Sequence, residues 1–440
     1  MDRFYTAEDV RQMAQEYHVK FVRLQFTDIL GALKNIAVTV EELEKALAGQ
    51  VRLDGAALEG FREHLDRTVY LVPDPSTFVV FPWRPRDGAV ARLICEALAG
   101  TDPFPACSRT ALRRVLGRLP AGWQFMVGVE AAFFLFHTGE QGKPTTTTHD
   151  LAGYCDLTPI DLGENARRDM VLTLEEMGIE VTSSHHETAP GQHAIGLKDD
   201  TALAMADKLA TFKFVVRTVA QRHGLWASFM PRPLTAHKGS GLILSLSLWR
   251  DGENLFRDPR DPSGLSETAY HFAGGVLQHA RALTALANPL VNSYKRLVPD
   301  PESPFLAAWS RDSRLTMLRV DAEGDNVRLV LRSPDPAGNS YLVLAAVLAA
   351  GLDGIEHRVA PPPFANFRPA DLNRLASLAR DGGLPRTLGG ALEALAADAV
   401  IRTAVGEEIC RRFLDVKWQE WEAFLREVHP WETAAYLARY

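Results

Sequence analysis

Apolar and polar residues alternate with a period of two in some stretches of the chain and recur at helical spacing in others, so strands and helices are mixed along it. In the N-terminal part, strand-like runs at Lys20–Phe26, Val69–Leu71, Thr77–Val80 and Ala91–Cys95 flank a helical stretch around Val40–Leu47. A proline-rich seam at Asp102–Pro105 removes backbone donors, so a domain boundary is expected there, dividing the chain into 1–103 and 104–440. Ser108 then reads as the N-cap of a helix beginning SRTALRRVL. Long amphipathic helices are predicted over Ala166–Glu176, Ala202–His223 and Tyr270–Asn288, and the run TTTT at 145–148 reads as a surface loop.

Three alternating runs carry the chemistry, because side chains two apart on a strand share a face. In VGVEAAFFLF, Glu130 and Ala132 point the same way. In LILSLSL, Ile243, Ser245 and Ser247 lie opposite a row of leucines. In RLVLR, Arg328, Val330 and Arg332 line one side, and two arginines on one face invite an anion.

Composition narrows the function classes. The chain has 440 residues, 46% hydrophobic and 23% charged, with a net charge of −7, which fits a globular protein and excludes a nucleic-acid binder held by a broad basic surface. The longest apolar-looking stretch, Tyr341–Leu352, is shorter than the ~20 residues that span a bilayer. The N-terminus lacks the central apolar run of a signal peptide. A cytoplasmic location and small-molecule or protein partners are therefore expected, with no direct nucleic-acid or membrane partner. The cysteines at 95, 107, 155 and 410 form no C-x-x-C pair, so neither a zinc site nor a disulfide framework is indicated.

The runs HHETAPGQH (185–193), NPLVNSYKRLVP (288–299), LRSPDPAGNSYL (331–342) and the closing VHPWETAAYLARY, with GSG at 239–241 and LDG at 53–55, resemble glutamine synthetase of the bacterial type I class, in its Gram-positive-like form. The resemblance implies an α+β chain: an N-terminal β-grasp domain and a larger catalytic domain with a curved antiparallel sheet and helices. It also implies self-assembly as two stacked hexameric rings, with active sites between neighbouring subunits. The implied reaction uses ATP to phosphorylate the γ-carboxylate of glutamate, which ammonia then attacks, with two divalent cations clamping the phosphates.

Carried over position by position, the resemblance implies that Arg296, Arg332 and Gly239 hold the amino-acid substrate. Arg314, Arg319, Arg328 and Ser247 would face the nucleotide. Asp54, Tyr154 and Glu302 would serve ammonia capture together with Glu187, although Ala57 replaces a serine. Around Arg314 the pattern departs from the family's, and the flap reads VPDPESP, which Pro301 is expected to stiffen.

The metal positions depart most. The family places five glutamates and one histidine around its cations; here only Glu130 and Glu187 stand, with Ala132, Ala194, Ile243 and Val330 at the other positions. One carboxylate per ion would hold Mg²⁺ or Mn²⁺ weakly or not at all, while ATP binding stays open. Lys238, where the family has asparagine, is expected either to face solvent or to replace cation charge beside Glu130 or Glu187. His185 and His186 read either as a buried, backbone-satisfied pair or as part of the motif. Three functions are therefore expected: an impaired paralogue acting by assembly with or regulation of an active glutamine synthetase or a nitrogen regulator; a divergent ATP-dependent carboxylate–amine ligase; or a sensor of an amino acid or nucleotide.

Overall fold

The computed structural model describes residues 5–58, 68–84, 87–100, 102–104, 106–300, 302–365 and 383–440. Pro301 lies outside them. Helix α1 (Ala7–Glu16) opens with a reciprocal cap, the Asp9 amide donating to the Thr6 hydroxyl and the Thr6 amide to the Asp9 carboxylate. The first sheet is built from β1 (Val19–Thr27), β2 (Leu33–Thr39), β3 (Val51–Asp54), β4 (Thr68–Val80), β5 (Ala89–Ala99) and the short β6 (Asp102–Pro103). Its order is β2-β1-β5-β4-β3, with β1 and β5 parallel and the other pairs antiparallel. Val22, Leu24, Ala91 and Leu93 close a small core of their own, which α1 covers through Val10 and Ala14.

The second sheet contains β7 (Trp123–Thr138), β8 (Pro144–Thr148), β9 (Val181–His186), β10 (Gln192–Thr201), β11 (Leu225–Ser228), β12 (Leu242–Arg250), β13 (Glu253–Asn254), β14 (Leu306–Ser310), β15 (Thr316–Glu323) and β16 (Asn326–Leu331). The strands run in the order β14-β15-β16-β12-β7-β10-β9, antiparallel except for β14 with β15. The leucines of β12, at 242, 244, 246 and 248, are buried against residues of the helices Ala202–Arg222, Glu267–Gln278 and Ser340–Glu356. Each buried leucine contributes roughly 1.5–3 kcal/mol relative to exposure. Ser340–Glu356 is buried from Ser340 through Gly354, which explains its nearly unbroken apolar composition. No described helix is long and apolar enough to cross a membrane.

Register puts the positions singled out above on one face. Across the sheet, His185 opposes Ala194, which opposes Ala132. In the next row Ser183, Gly196, Glu130 and Ile243 are successive partners, and beyond it Gly128, Ser245, Val330 and Arg319. Directly paired residues project to the same side, so these rows form the floor of one site.

The two sheets are tied by polar contacts. Arg109 reaches Asp207 at 2.8 Å in the larger part and Asp74 and Glu96 at 2.7 and 3.2 Å on the first sheet. Gly31 (φ +86°) lets its turn approach Asn339, where an added Cβ would come within 2.9 Å of the backbone. Asn339 in turn donates to the Asp28 carbonyl at 2.9 Å.

Three local expectations are corrected. Cys107 is the N-cap of the helix Ser108–Leu116, because the Ser108 hydroxyl donates instead to the Thr27 carbonyl at 3.2 Å. The stretch predicted as one helix over Tyr270–Asn288 is two, Glu267–Gln278 and Ala280–Ala287, joined at His279. The ring of His279 is gripped by Asp398 at 2.6 Å and Asp353 at 3.1 Å, tertiary partners that local periodicity does not contain. The threonine run is not a loop but part of β8, which pairs with β7 at Phe136–Thr148.

Candidate functional site

A cavity of about 340 Å³ opens on the polar face of the second sheet. Its walls carry Glu130, Glu187, Lys238, Gly239, Arg296, Glu302 and Arg332 beside Ala132 and Ile243. A second cavity, about 510 Å³, shares Glu130 and Ile243 and extends to Ser245, Arg319, Arg328 and Val330. The predicted amino-acid residues and two of the four predicted nucleotide residues, Arg319 and Arg328, thus fall into two connected spaces, while Arg314 and Ser247 line neither.

Arg296 is held from behind: its guanidinium donates to the carbonyls of Ser333 and, at 2.7 Å, Pro334, while its Nε has no partner. Burial pushes its pKa down. Gly239 is required here, since a Cβ would run into the Pro231 carbonyl oxygen and sit 3.0 Å from Cγ of Arg296. Arg332 donates to the Arg314 carbonyl at 2.7 Å. Burial first, and then the crowding of Arg319, Arg314 and Arg296, push its pKa down to about 10, still cationic at neutral pH. Crowded guanidinium groups of this kind are relieved by a bound carboxylate or phosphate.

Glu130 is raised above the ordinary carboxylate range, mainly by burial, with His185 opposing and Glu187 reinforcing the shift. Burial would also raise Glu187, but the hydrogen bond and charge of His185 outweigh it and hold Glu187 low. The His185 Nε2 lies 3.6 Å from Glu187, and the edge of the His185 ring faces Tyr154 at 5.7 Å between centroids. Donor atoms of Glu130, His185 and Glu187 all lie within 4.8 Å of one another. Both surviving carboxylates therefore lie within reach of His185. The hydrocarbon side chains at 132, 194, 243 and 330 do not fit a two-ion complement, whereas one nitrogen and two carboxylates fit a single divalent cation.

His185 and His186 separate in role. His186 is fully buried between Asp150, at 3.0 Å, and the Glu187 carbonyl, at 2.6 Å, so it is structural; His185 is partly open. The i, i+2 spacing of His185 and Glu187 on an extended segment was the signal that could have joined them in the sequence.

The remaining site residues are placed as follows. Glu302 pairs with Lys238 and, at 3.3 Å, with Arg314. The expected partner of Lys238 is corrected accordingly: its ammonium is on the flap glutamate, not on Glu130 or Glu187, although its charge also helps lower Glu187. Arg328 pairs with Asp199 at 3.1 Å, a residue not singled out from the sequence. Asp199 packs where a Cβ on Gly128 would stand, so the small residue on β7 makes room for it. Ser247 is buried and accepts from the Trp249 indole at 2.9 Å; it lines neither cavity. Asp54 lines neither cavity and caps its own turn through the Ala56 amide at 2.9 Å, on the first sheet. Tyr154 is exposed on a loop, with its ring beside that of His185.

Together the fold and the cavities define a two-sheet α+β protein with an arginine-rich, carboxylate-bearing site on one sheet face. The chain belongs to the glutamine synthetase family: the family's beta-grasp domain matches residues 18–100 and its catalytic domain residues 105–436. It is 46% identical over 444 aligned residues to the glutamine synthetase of Clostridium saccharobutylicum, covering 99% of each chain. It is equally identical to that of Staphylococcus aureus, covering 100% of this chain and 99% of the relative. Among solved structures, GmaS in complex with ADP superposes with a TM-score of 0.88, and GmaS without ligand with 0.87. Both are 32% identical and cover 98% of this chain and 99% of theirs.

Proposed function

We propose that the protein is a divergent ATP-dependent carboxylate–amine ligase, with glutamate and ammonia as the first substrates to test, operating on a reduced metal complement. The observation that carries this reading is the gathering of Arg296, Arg332, Glu187 and Glu302 around one cavity, with Arg319 and Arg328 in the adjoining one. Identity of 46% to glutamine synthetases over the full chain supports it. In this reading Arg296 and Arg332 grip the α-carboxylate, Gly239 gives the substrate backbone access, and Arg314, Arg319 and Arg328 hold phosphates. Glu187, Glu302 and Tyr154 bind and deprotonate the ammonium, with Asp54 supplied by a neighbouring copy in a ring assembly. A divalent cation would supply charge neutralisation at the phosphates.

A second reading is favoured by Ala132, Ala194, Ile243 and Val330. These four hydrocarbon side chains stand on the site face and remove donors that two-ion chemistry needs, so the protein would be an impaired paralogue that binds ligand or assembles with an active synthetase. The boundary between 1–103 and 104–440 is retained in both readings as the division between the substrate-closing and catalytic parts. Release of ADP with glutamate, ammonium and Mn²⁺ decides between them: turnover within about a hundredfold of an active relative supports the ligase, and none above background supports the paralogue.

A further inference from the structure

We propose that Glu130, His185 and Glu187 form a mononuclear site for a first-row transition-metal dication, with His185 as its nitrogen ligand, and that it selects Mn²⁺ or Zn²⁺ over Mg²⁺. The proposal rests on the functional reading above only in taking the cavity as the site; its test needs no turnover.

The donors come from two strands that the register brings to the same face. Glu130 stands on β7, and His185 on β9 lies one row away, across Ala194 and Ala132. These two positions carry only a methyl group, and the intervening partner of Glu130 on β10 is Gly196, so little side-chain volume separates the imidazole from the carboxylates. Glu187 follows β9 and returns to the same point, its amide donating to the Gln192 carbonyl at 2.7 Å, which fixes the backbone that carries it. The three donor atoms then meet within 4.8 Å, a separation that small rotamer changes close around an ion at about 2.0–2.2 Å from each.

Charge and chemistry specify the occupant. Two carboxylates whose oxygens meet an imidazole nitrogen within 4.8 Å repel one another unless a cation lies between them. Lys238, the nearest lysine in the cavity wall, is committed to Glu302. An imidazole nitrogen with two carboxylate oxygens suits Mn²⁺, Co²⁺ or Zn²⁺, whereas Mg²⁺ favours oxygen and dehydrates reluctantly. Among the described residues no other His, Cys, Asp or Glu joins this cluster, although His237, Asp300 and Glu302 stand elsewhere in the cavity wall, so the other coordination positions are left to water or ligand oxygen. The neighbouring cluster of Asp150, Asp161, His186 and His193 behaves differently. There the Arg167 guanidinium already sits at 2.7 Å from Asp161 and 2.9 Å from Nδ1 of His193, supplying the positive charge internally.

The experiment is metal binding to the full chain, followed by calorimetry and by the electron paramagnetic resonance of Mn²⁺, without nucleotide. One Mn²⁺ per chain is expected, at least tenfold tighter than Mg²⁺, with coupling to one imidazole nitrogen in pulsed spectra. H185Q should weaken Mn²⁺ at least tenfold, abolish that coupling and leave Mg²⁺ little changed; E130Q and E187Q should weaken both ions. Circular dichroism and melting temperature of each variant establish folding. Two ions per chain, none at 1 mM Mn²⁺, or binding by folded H185Q equal to the parent would overturn the proposal. Failure of ligase turnover with one nitrogen-coupled Mn²⁺ in place would leave it standing and defeat the ligase reading alone.

Discussion

Ala132 and Ala194 are direct partners across β7 and β10, so glutamates introduced at both positions would face each other on the floor of the site. Opposed side chains have Cβ atoms about 5 Å apart, and two carboxylates at that distance repel by about 3 kcal/mol at an effective dielectric near 20. Each single glutamate also carries the desolvation cost of a buried carboxylate, on the order of several kcal/mol, since Ala132 is 7% and Ala194 0% exposed. A cycle of A132E, A194E and the double variant isolates the pair term. In chelator the coupling should destabilise by about 1–3 kcal/mol; a divalent cation between the carboxylates reverses its sign. At a hundredfold excess over its Kd, bound Mn²⁺ adds about 2.7 kcal/mol to the folded state. With an unfolding entropy of about 2.1 cal/mol/K per residue, a chain of 440 residues gains only about 1 °C per kcal/mol, so denaturant unfolding is the better assay. A coupling energy unchanged by Mn²⁺ would refute the argument that the missing carboxylates are missing metal ligands.

Other outcomes follow from the same geometry. Replacing Arg332 by alanine should weaken glutamate binding by about 1.5–3 kcal/mol in calorimetry, because a charged hydrogen bond is lost; unchanged affinity would place the carboxylate elsewhere. Lys238→Asn frees Glu302 from one of its two partners and should lower the ammonium KM of whatever ADP release is present, while stability shifts by under about 1 kcal/mol because the pair is partly exposed. Asp199→Asn releases Arg328 and should tighten ADP binding several-fold; no change would mean that Arg328 does not meet phosphate. His279 is raised despite burial, by Asp398 and Asp353, so its stabilisation is fully present below its unfolded pKa and lost as pH rises through the higher folded one. Asp398 is held low by His279 against burial, so its share is lost on acidification. Stability should therefore peak between the carboxylate and imidazole ranges, and His279→Gln should flatten the alkaline side of that profile in urea titrations at stepped pH.

The chain's period-two runs and its motif order determined much of this protein in advance: the α+β class, the shared face of Glu130 and Ala132 on one strand and of Ile243, Ser245 and Ser247 on another, and the arginines of RLVLR. These follow from pleat geometry, which is local and fixes which side of a strand each residue takes. Tertiary structure decided what local periodicity does not encode. Lys238 found Glu302 and Arg328 found Asp199, pairings across long separations in the chain. His279 interrupted a helix because carboxylates from two distant segments hold its ring. Above all, the convergence of Glu130 and Glu187 on His185 depends on strand register between β7, β10 and β9, since a face assigned from sequence says which way a side chain points but not which donors meet above it.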